Sequence, residues 1–257
     1  MTSNDPADRD PMLKGIIAAA RAGNVKRAYA LSRQLTERYP RSAGAWYLRG
    51  VLGVVTRQHG DASFALRKTL EIAPKLAVAH FTFAQNEAGQ WRIAAAVPHL
   101  QRYVQLQPQD AIGWLALSDC TLQLGRKSEA VQHARRATAQ APSQVGLWIQ
   151  LARTEKAVGN TSGTLAALKK AGELSPDNPA LLILVGYGYI NLDRPAEAIP
   201  PLTRAARLVP KDSWYTRNWA TVCKRWESRS PRSSTCVKGR VWRRAMVLSG
   251  NTSVSLI

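Results

Sequence analysis

The sequence has few residues of the kinds that build metal centres or active sites. Its 257 residues include only three cysteines and four histidines. They are Cys120, Cys223, Cys236, His59, His80, His99 and His133. No C-x-x-C pair occurs and the histidines lack close ligand spacing, so neither a zinc site nor a disulfide framework is expected. A phosphate loop, a Ser/His/Asp arrangement and paired carboxylates are also missing, so we expect no enzyme and no cofactor.

Long apolar runs are absent as well. The most apolar run, ALLILVGYGYI from Ala180 to Ile190, is shorter than the roughly 20 residues that a membrane-spanning helix needs. Its glycines suggest a nucleotide-binding loop, but Asn191 stands where that fingerprint requires a third glycine. The first residues, MTSNDPADRDP, are polar and unlike a signal peptide. A soluble, cytoplasmic protein without a membrane span is therefore the expectation.

Acidic residues are scarce relative to basic ones, with 17 Asp and Glu against 36 Lys and Arg and a formal net charge of +19. The excess is densest at the C-terminal end, where residues 211–257 carry +8 and the first 210 residues carry +11. Such a tail leaves open weak binding to nucleic acid or to another acidic surface.

Prolines recur every 34 residues along most of the chain. They are Pro40, Pro74, Pro108, Pro142, Pro176 and Pro210. With each proline as residue 32 of a repeat, the six repeats begin at Arg9, Ala43, Ala77, Ala111, Val145 and Pro179. Within repeats, apolar residues recur at steps of three and four, which indicates amphipathic helices. Because proline lacks an N–H and restricts its predecessor, each proline should end the second helix of a pair.

Other positions of the repeat agree with this register. Position 20 is alanine in five repeats and Thr164 in the fifth, and position 8 is small in every repeat except the first. Position 4 is tryptophan in three repeats, Trp46, Trp114 and Trp148, whereas the third repeat has His80 there as a packing residue. Small residues would let the two helices of one repeat approach closely. Such a pair cannot bury its apolar face alone, so successive pairs should stack.

With tryptophan, small residue, alanine and proline at these offsets, residues 9–210 resemble the tetratricopeptide repeat (TPR) family. The resemblance implies an all-α fold, a right-handed superhelical solenoid of antiparallel helix pairs with about six TPR units plus a C-terminal capping helix. The domain prediction is a disordered N-terminus (1–8), the six-unit array (9–210), the capping helix (211–227) and a basic, flexible tail (228–257). An out-of-frame or truncated end after Glu227 is an open alternative.

In TPR proteins the first helix of each repeat lines a concave groove through positions 2, 5, 9 and 12. The resemblance therefore implies a non-catalytic scaffold that binds a peptide or an amphipathic helix of another protein. Position 5 is apolar in every repeat, and polar groups follow toward the C-terminal half. The candidate groove residues are Tyr47, Val51, Phe81, Gln85, Leu115, Asp119, Ile149, Arg153, Lys156, Ile183, Tyr187 and Asn191. Half-burial of position 5 between neighbouring helices is the competing interpretation.

Two further functions are weighed against the scaffold. TPR arrays resembling this one precede sulfotransferase or glycosyltransferase domains in bacterial proteins, so the chain could be the recognition portion of a truncated transferase. Binding of nucleic acid through the basic tail is the other alternative. Capture of chaperone C-terminal tails is not expected, because it requires Lys at position 5 and Asn at position 9 of one repeat. The first repeat has Leu13 and Ile17 there, and no other repeat has the pair.

Overall fold

Helices make up most of residues 5–192 and 194–208, the part of the chain that the computed structural model describes. No β-strand occurs within those two ranges. The chain divides into two units, Met1–Gln140 and Ala141–Ile257. The predicted capping helix (211–227) and basic tail (228–257) lie outside the described residues.

The described part of the first unit holds a 3-10 helix, Pro6–Arg9, followed by α-helices in four pairs. They are α1 (Pro11–Arg21), α2 (Val25–Arg38), α3 (Ala43–Val55), α4 (His59–Ile72), α5 (Ala77–Gly89), α6 (Ile93–Leu106), α7 (Ala111–Gln123) and α8 (Lys127–Gln140). Within each repeat the two helices pack on each other, and each second helix also contacts the first helix of the next repeat in this unit.

The described part of the second unit repeats the pattern in two further pairs. They are α9 (Val145–Ala157), α10 (Thr161–Leu174), α11 (Pro179–Asn191) and α12 (Pro195–Leu208). Helix α10 contacts both α9 and α11, so this unit also stacks its pairs in chain order. The predicted all-α fold of stacked helix pairs is confirmed in each unit.

The helix boundaries follow the 34-residue period. From α3 to α11, each first helix begins at the first residue of its repeat, and each second helix from α2 to α10 ends two residues before the repeat's proline. Side chains of Ser42, Asp110 and Asn178 accept backbone N–H groups at the starts of α3, α7 and α11, as N-caps do. The predicted termination of second helices by proline is therefore confirmed.

The turn inside each of the first five repeats uses a left-handed residue at position 15. Gly23, Gly125 and Gly159 have φ angles of 75°, 76° and 82° there, whereas Arg57 and Trp91 adopt φ of 59° and 61°. A side chain in this conformation is strained by its Cβ, and glycine is not. The backbone path is thus kept even in the two repeats whose sequence does not favour it.

Small residues let the paired helices approach, as the sequence predicted. The position 20 alanines Ala28, Ala62, Ala96 and Ala130 are fully buried. Adding a Cβ to Gly186, at position 8, would place it 2.3 Å from Leu202, well inside van der Waals contact. The close approach explains why position 8 is rarely larger than alanine or serine.

Position 4 carries a hydrogen bond that joins one repeat to the next. The indole Nε1 of Trp46, Trp114 and Trp148 donates to the carbonyl oxygen of Pro40, Pro108 and Pro142, each at 2.8 Å. In the third repeat the imidazole Nε2 of His80 makes the same bond to Pro74, at 3.1 Å. The 34-residue period therefore repeats this hydrogen bond as well as the packing of the helices.

The predicted disordered N-terminus (1–8) is described by the structure only from residue 5 onward. There Pro6–Arg9 form a 3-10 helix whose Ala7 is buried. The Ser42 hydroxyl donates to the Asp5 carboxylate at 2.6 Å, which ties this segment to α3. The contact joins residues 37 positions apart, so local sequence could not reveal it.

Candidate functional site

Helix α3 lies beside α5, the first helix of the next repeat. The Tyr47 hydroxyl of α3 lies 3.4 Å from the Thr82 hydroxyl of α5, within hydrogen-bonding distance. Tyr47, Phe81 and Leu115, the predicted position 5 residues, are each half-buried. The Phe81 ring packs against Tyr103 of α6, with ring centroids 4.9 Å apart. Position 5 in this unit thus contributes to packing and also presents part of its surface.

Two apolar side chains beside them are more exposed. Val78 of α5 is 46% exposed and Ile112 of α7 is 53% exposed. Both stand at position 2 of their repeats, one helical turn before Phe81 and Leu115. The candidate set omitted them, although position 2 belongs to the groove that the family resemblance implies. We call Val78 and Phe81 on α5, with Ile112 and Leu115 at the same positions of α7, the apolar face of the first unit.

Polar residues border this apolar face. Gln85 of α5 is exposed, and Asp119 of α7 is half-buried and accepts a hydrogen bond from Gln123 at 2.7 Å. Val51 of α3, at the same position 9, is half-buried. The first unit thus brings six of the predicted residues onto three first helices, in the order in which the sequence placed them.

The second unit carries the other six predicted residues on α9 and α11. Ile149 is 40% exposed, and Arg153 and Lys156 on the same helix are exposed. Arg153 donates a long hydrogen bond of 3.4 Å to Gln150. On α11, Ile183 and Tyr187 are half-buried and Asn191 is exposed. Of this unit's first helices, α9 is therefore the more cationic, while α11 combines apolar and aromatic surface.

A charged network that the sequence did not reveal lies between the first two repeats. The Tyr29 hydroxyl and the Arg49 guanidinium both donate to Asp61, at 2.6 Å and 2.9 Å to Oδ2, and Arg49 also donates to Thr36. Burial would raise the pKa of Asp61, but these hydrogen bonds outweigh it and hold the pKa below its usual value. Burial, with the bond to Asp61, raises the pKa of Tyr29 to about 12. Both groups keep one protonation state near neutral pH, so the network serves packing rather than proton transfer.

Other reactive or metal-binding groups are few among the described residues. Cys120 is a free, buried thiol, and burial together with the nearby Asp119 raises its pKa, which keeps it protonated and unreactive. Within the described ranges no three His, Cys, Asp or Glu side chains come together in a group that could hold a metal ion. No helix of those ranges is long and apolar enough to cross a membrane.

Solved structures with the same fold are similar to most of this chain. One is PilW, a widely conserved type IV pilus biogenesis factor, with 18% identity and a TM-score of 0.63 over 85% of this chain and all of PilW. Another is YrrB, a TPR protein with an unusual peptide-binding site, at 22% identity and a TM-score of 0.59, covering 68% and 91% of the two chains. MamA from Desulfovibrio magneticus RS-1 has 15% identity and a TM-score of 0.62, covering 68% and 98%.

The sequence itself gives the family. No curated protein matches the chain closely. The tetratricopeptide repeat family model, however, matches residues 13–77 and 81–145, about half of the chain. These stretches cover most of the four helix pairs of the first unit, and the second unit continues the same period and helix boundaries. The chain belongs to the tetratricopeptide repeat family.

Proposed function

We propose that this chain is a non-catalytic scaffold that binds a peptide or an amphipathic helix of a partner protein on the first helices of its repeats. The observation that carries the proposal is the apolar face of the first unit. Val78 and Ile112 expose branched apolar side chains at one register position of neighbouring repeats, beside the half-buried Phe81 and Leu115. Amphipathic helices dock through apolar anchors of this kind.

The border of the apolar face supports the same proposal. Gln85 and Asp119 flank the apolar side chains and can accept or donate hydrogen bonds to a partner. Binding surfaces commonly combine a small apolar centre with a polar rim. YrrB, which has the same fold, is described as having a peptide-binding site. In the second unit taken by itself, the exposed Arg153 and Lys156 make α9 cationic, which favours a partner segment with acidic residues there.

The experiment that tests the proposal selects binding peptides from a random library displayed on phage, using the full chain as the target. The affinity of the selected peptides is then measured for the wild type and for the double variant Val78→Ser, Ile112→Ser. Fully burying one such side chain contributes about 1.5–3 kcal/mol, and Val78 and Ile112 each have about half of their surface left to bury, so losing both anchors should weaken binding by roughly tenfold or more. These two positions are better targets than Phe81 or Leu115, whose half-buried side chains also stabilise the fold.

The matched control is Ile72→Ser, because Ile72 is 42% exposed but lies at the end of a second helix, α4. This variant should bind the selected peptides as the wild type does. Circular dichroism should show the same helix content for all three proteins. Equal affinity of the wild type and the double variant would refute a binding site on the apolar face.

The other functions considered for the sequence have less support. The transferase interpretation requires a catalytic domain that these repeats do not supply. Binding of nucleic acid depends on residues 228–257, which lie outside the described residues, and it stays a prediction. The chaperone-tail pair remains unmatched, since Leu13 and Ile17 offer no amine or amide to a terminal carboxylate. The cytoplasmic location also stays a prediction from the sequence.

A further inference from the structure

Two histidines face each other across the third helix pair. His80 lies on α5 and His99 on α6, and both are half-buried. Their Nδ1 atoms are 3.4 Å apart, and their ring planes are inclined by 38°. The His99 ring also packs on Phe83, with ring centroids 4.1 Å apart, which limits its freedom to turn away.

The hydrogen bond to Pro74 sets the tautomer of His80. A carbonyl oxygen can only accept, so the Nε2 atom of His80 must carry the hydrogen that it donates over 3.1 Å. In the neutral ring the Nδ1 atom then carries no hydrogen, and its lone pair is directed toward His99. Metal-binding histidines are oriented in this way, by donating their second ring N–H to a carbonyl or carboxylate.

The separation of the two Nδ1 atoms suits a metal ion better than a hydrogen bond. Hydrogen bonds donated by N–H groups usually span about 2.7–3.2 Å, so 3.4 Å is long for one. Two imidazole nitrogens bound to a tetrahedral zinc ion at about 2.0–2.1 Å are separated by about 3.3–3.4 Å. A small rotation of each ring would direct both lone pairs at a shared ion.

We propose that His80 and His99 form a two-histidine binding site for a borderline divalent cation such as Zn²⁺ or Ni²⁺. Imidazole nitrogens suit these ions. No third protein ligand lies within reach in the described residues, so water completes the coordination shell. Binding leaves both rings neutral: His99 carries its single proton on Nε2, and its Nδ1 and that of His80 each donate a lone pair.

The fourth helix pair supplies an internal control. There Trp114 occupies the position of His80 and His133 the position of His99, with the two rings stacked at 5.7 Å. Trp114 donates to Pro108 as His80 does to Pro74, but an indole has no lone pair to offer a metal. The substitution His80→Trp therefore converts the third pair into a copy of the fourth and should preserve the fold.

The experiment titrates the full-length protein with Zn²⁺ in a calorimeter, in a buffer that does not bind metals, and compares four proteins. They are the wild type, His80→Trp, His99→Ala and His133→Ala. Alanine occupies the position of His99 in the second and fifth repeats, as Ala65 and Ala167, so His99→Ala should also fold. Nitrogen-detected NMR of the histidine rings reports which Nδ1 resonances shift when Zn²⁺ is added.

The proposal predicts one Zn²⁺ per chain in the wild type, with the Nδ1 resonances of His80 and His99 shifted. His80→Trp and His99→Ala should each weaken Zn²⁺ binding by at least about tenfold. Losing only a group that hydrogen-bonds to a metal ligand already lowers metal affinity by that factor. His133→Ala should bind like the wild type. The proposal is overturned if the wild type binds no Zn²⁺, or if folded His80→Trp binds it as tightly as the wild type.

Discussion

In the third repeat (77–110) His80 faces His99, whereas in the fourth repeat (111–144) Trp114 faces His133 at the same two positions. The two repeats also differ at their internal turns, where Trp91 and Gly125 both adopt a left-handed conformation. Their helices nevertheless begin and end at equivalent residues. The backbone is thus set by the features that the two repeats share, the alanine at position 20 and the proline at position 32. Positions 4, 15 and 23 are free to carry other chemistry.

The largest expected difference between the two repeats concerns position 4. Trp114 is buried, stacks on His133 and is covered by the Arg136 guanidinium, 4.7 Å from its ring centroid. Replacing Trp114 by alanine should lower the free energy of unfolding by about 3–5 kcal/mol, the usual cost of removing a buried aromatic ring. His80→Ala removes a smaller, half-buried ring and one hydrogen bond, which should cost about 1–2 kcal/mol. Urea denaturation followed by circular dichroism measures both, and equal losses would contradict the comparison.

The turns should respond with opposite signs. Gly125→Ala places a Cβ in the left-handed region and should destabilise the protein by about 1–2 kcal/mol. Trp91→Gly removes that strain, and because Trp91 is 85% exposed little packing is lost, so stability should rise by up to about 1 kcal/mol. The same denaturation assay tests this. A loss of stability in Trp91→Gly would mean that the indole makes a contact that offsets its backbone strain.

A smaller effect concerns pH. Burial lowers the pKa of His99, and the neighbouring His80 adds to this, while Glu87 opposes it. Burial likewise lowers the pKa of His133, with Arg136 adding and Glu129 opposing. Because each pKa is lower in the folded chain than the usual 6.5, the unfolded chain takes up more protons as the pH falls. The stabilising contribution is complete above about pH 6.5 and is lost as the pH falls through the folded pKa.

Denaturation midpoints between about pH 7.5 and pH 5 should therefore fall in the wild type and fall less in His99→Ala and in His133→Ala. The carboxyl groups of Asp10 and Asp61 do not titrate in this range, since their pKa values lie below their usual 3.8. If both histidine variants follow the pH dependence of the wild type, the burial of these rings does not contribute to stability.

Features that repeat within the sequence could be predicted, and single contacts between distant residues could not. Six prolines at one interval predicted where the second helix of each pair ends, because a proline ends the helix formed by the residues just before it. The order of Tyr47, Phe81 and Leu115 along the first helices followed from the same register. Their half-burial was one of two interpretations that the sequence left open, since apolar periodicity is the same for a side chain that packs and for one that faces solvent.

The histidine pair shows the limit most clearly. His80 and His99 are 19 residues apart on different helices, so no spacing rule for metal ligands applies to them. The signal that could have found them was the repeat register itself, since positions 4 and 23 also meet as Trp114 and His133 in the next repeat. The Tyr29–Arg49–Asp61 network, by contrast, joins three helices with residue types that no other repeat matches, and only the structure reveals it.

The bond from position 4 to the preceding proline also bears on how such a chain can lengthen or shorten. Each donor lies six residues after its acceptor, and the two belong to different repeats. Gain or loss of one whole 34-residue segment keeps every donor six residues after a proline, wherever in the repeat the segment begins, so the bonds remain possible. Insertion of a single residue between Pro108 and Trp114 would move the donor out of register, so this linker should tolerate changes in residue type far better than changes in length.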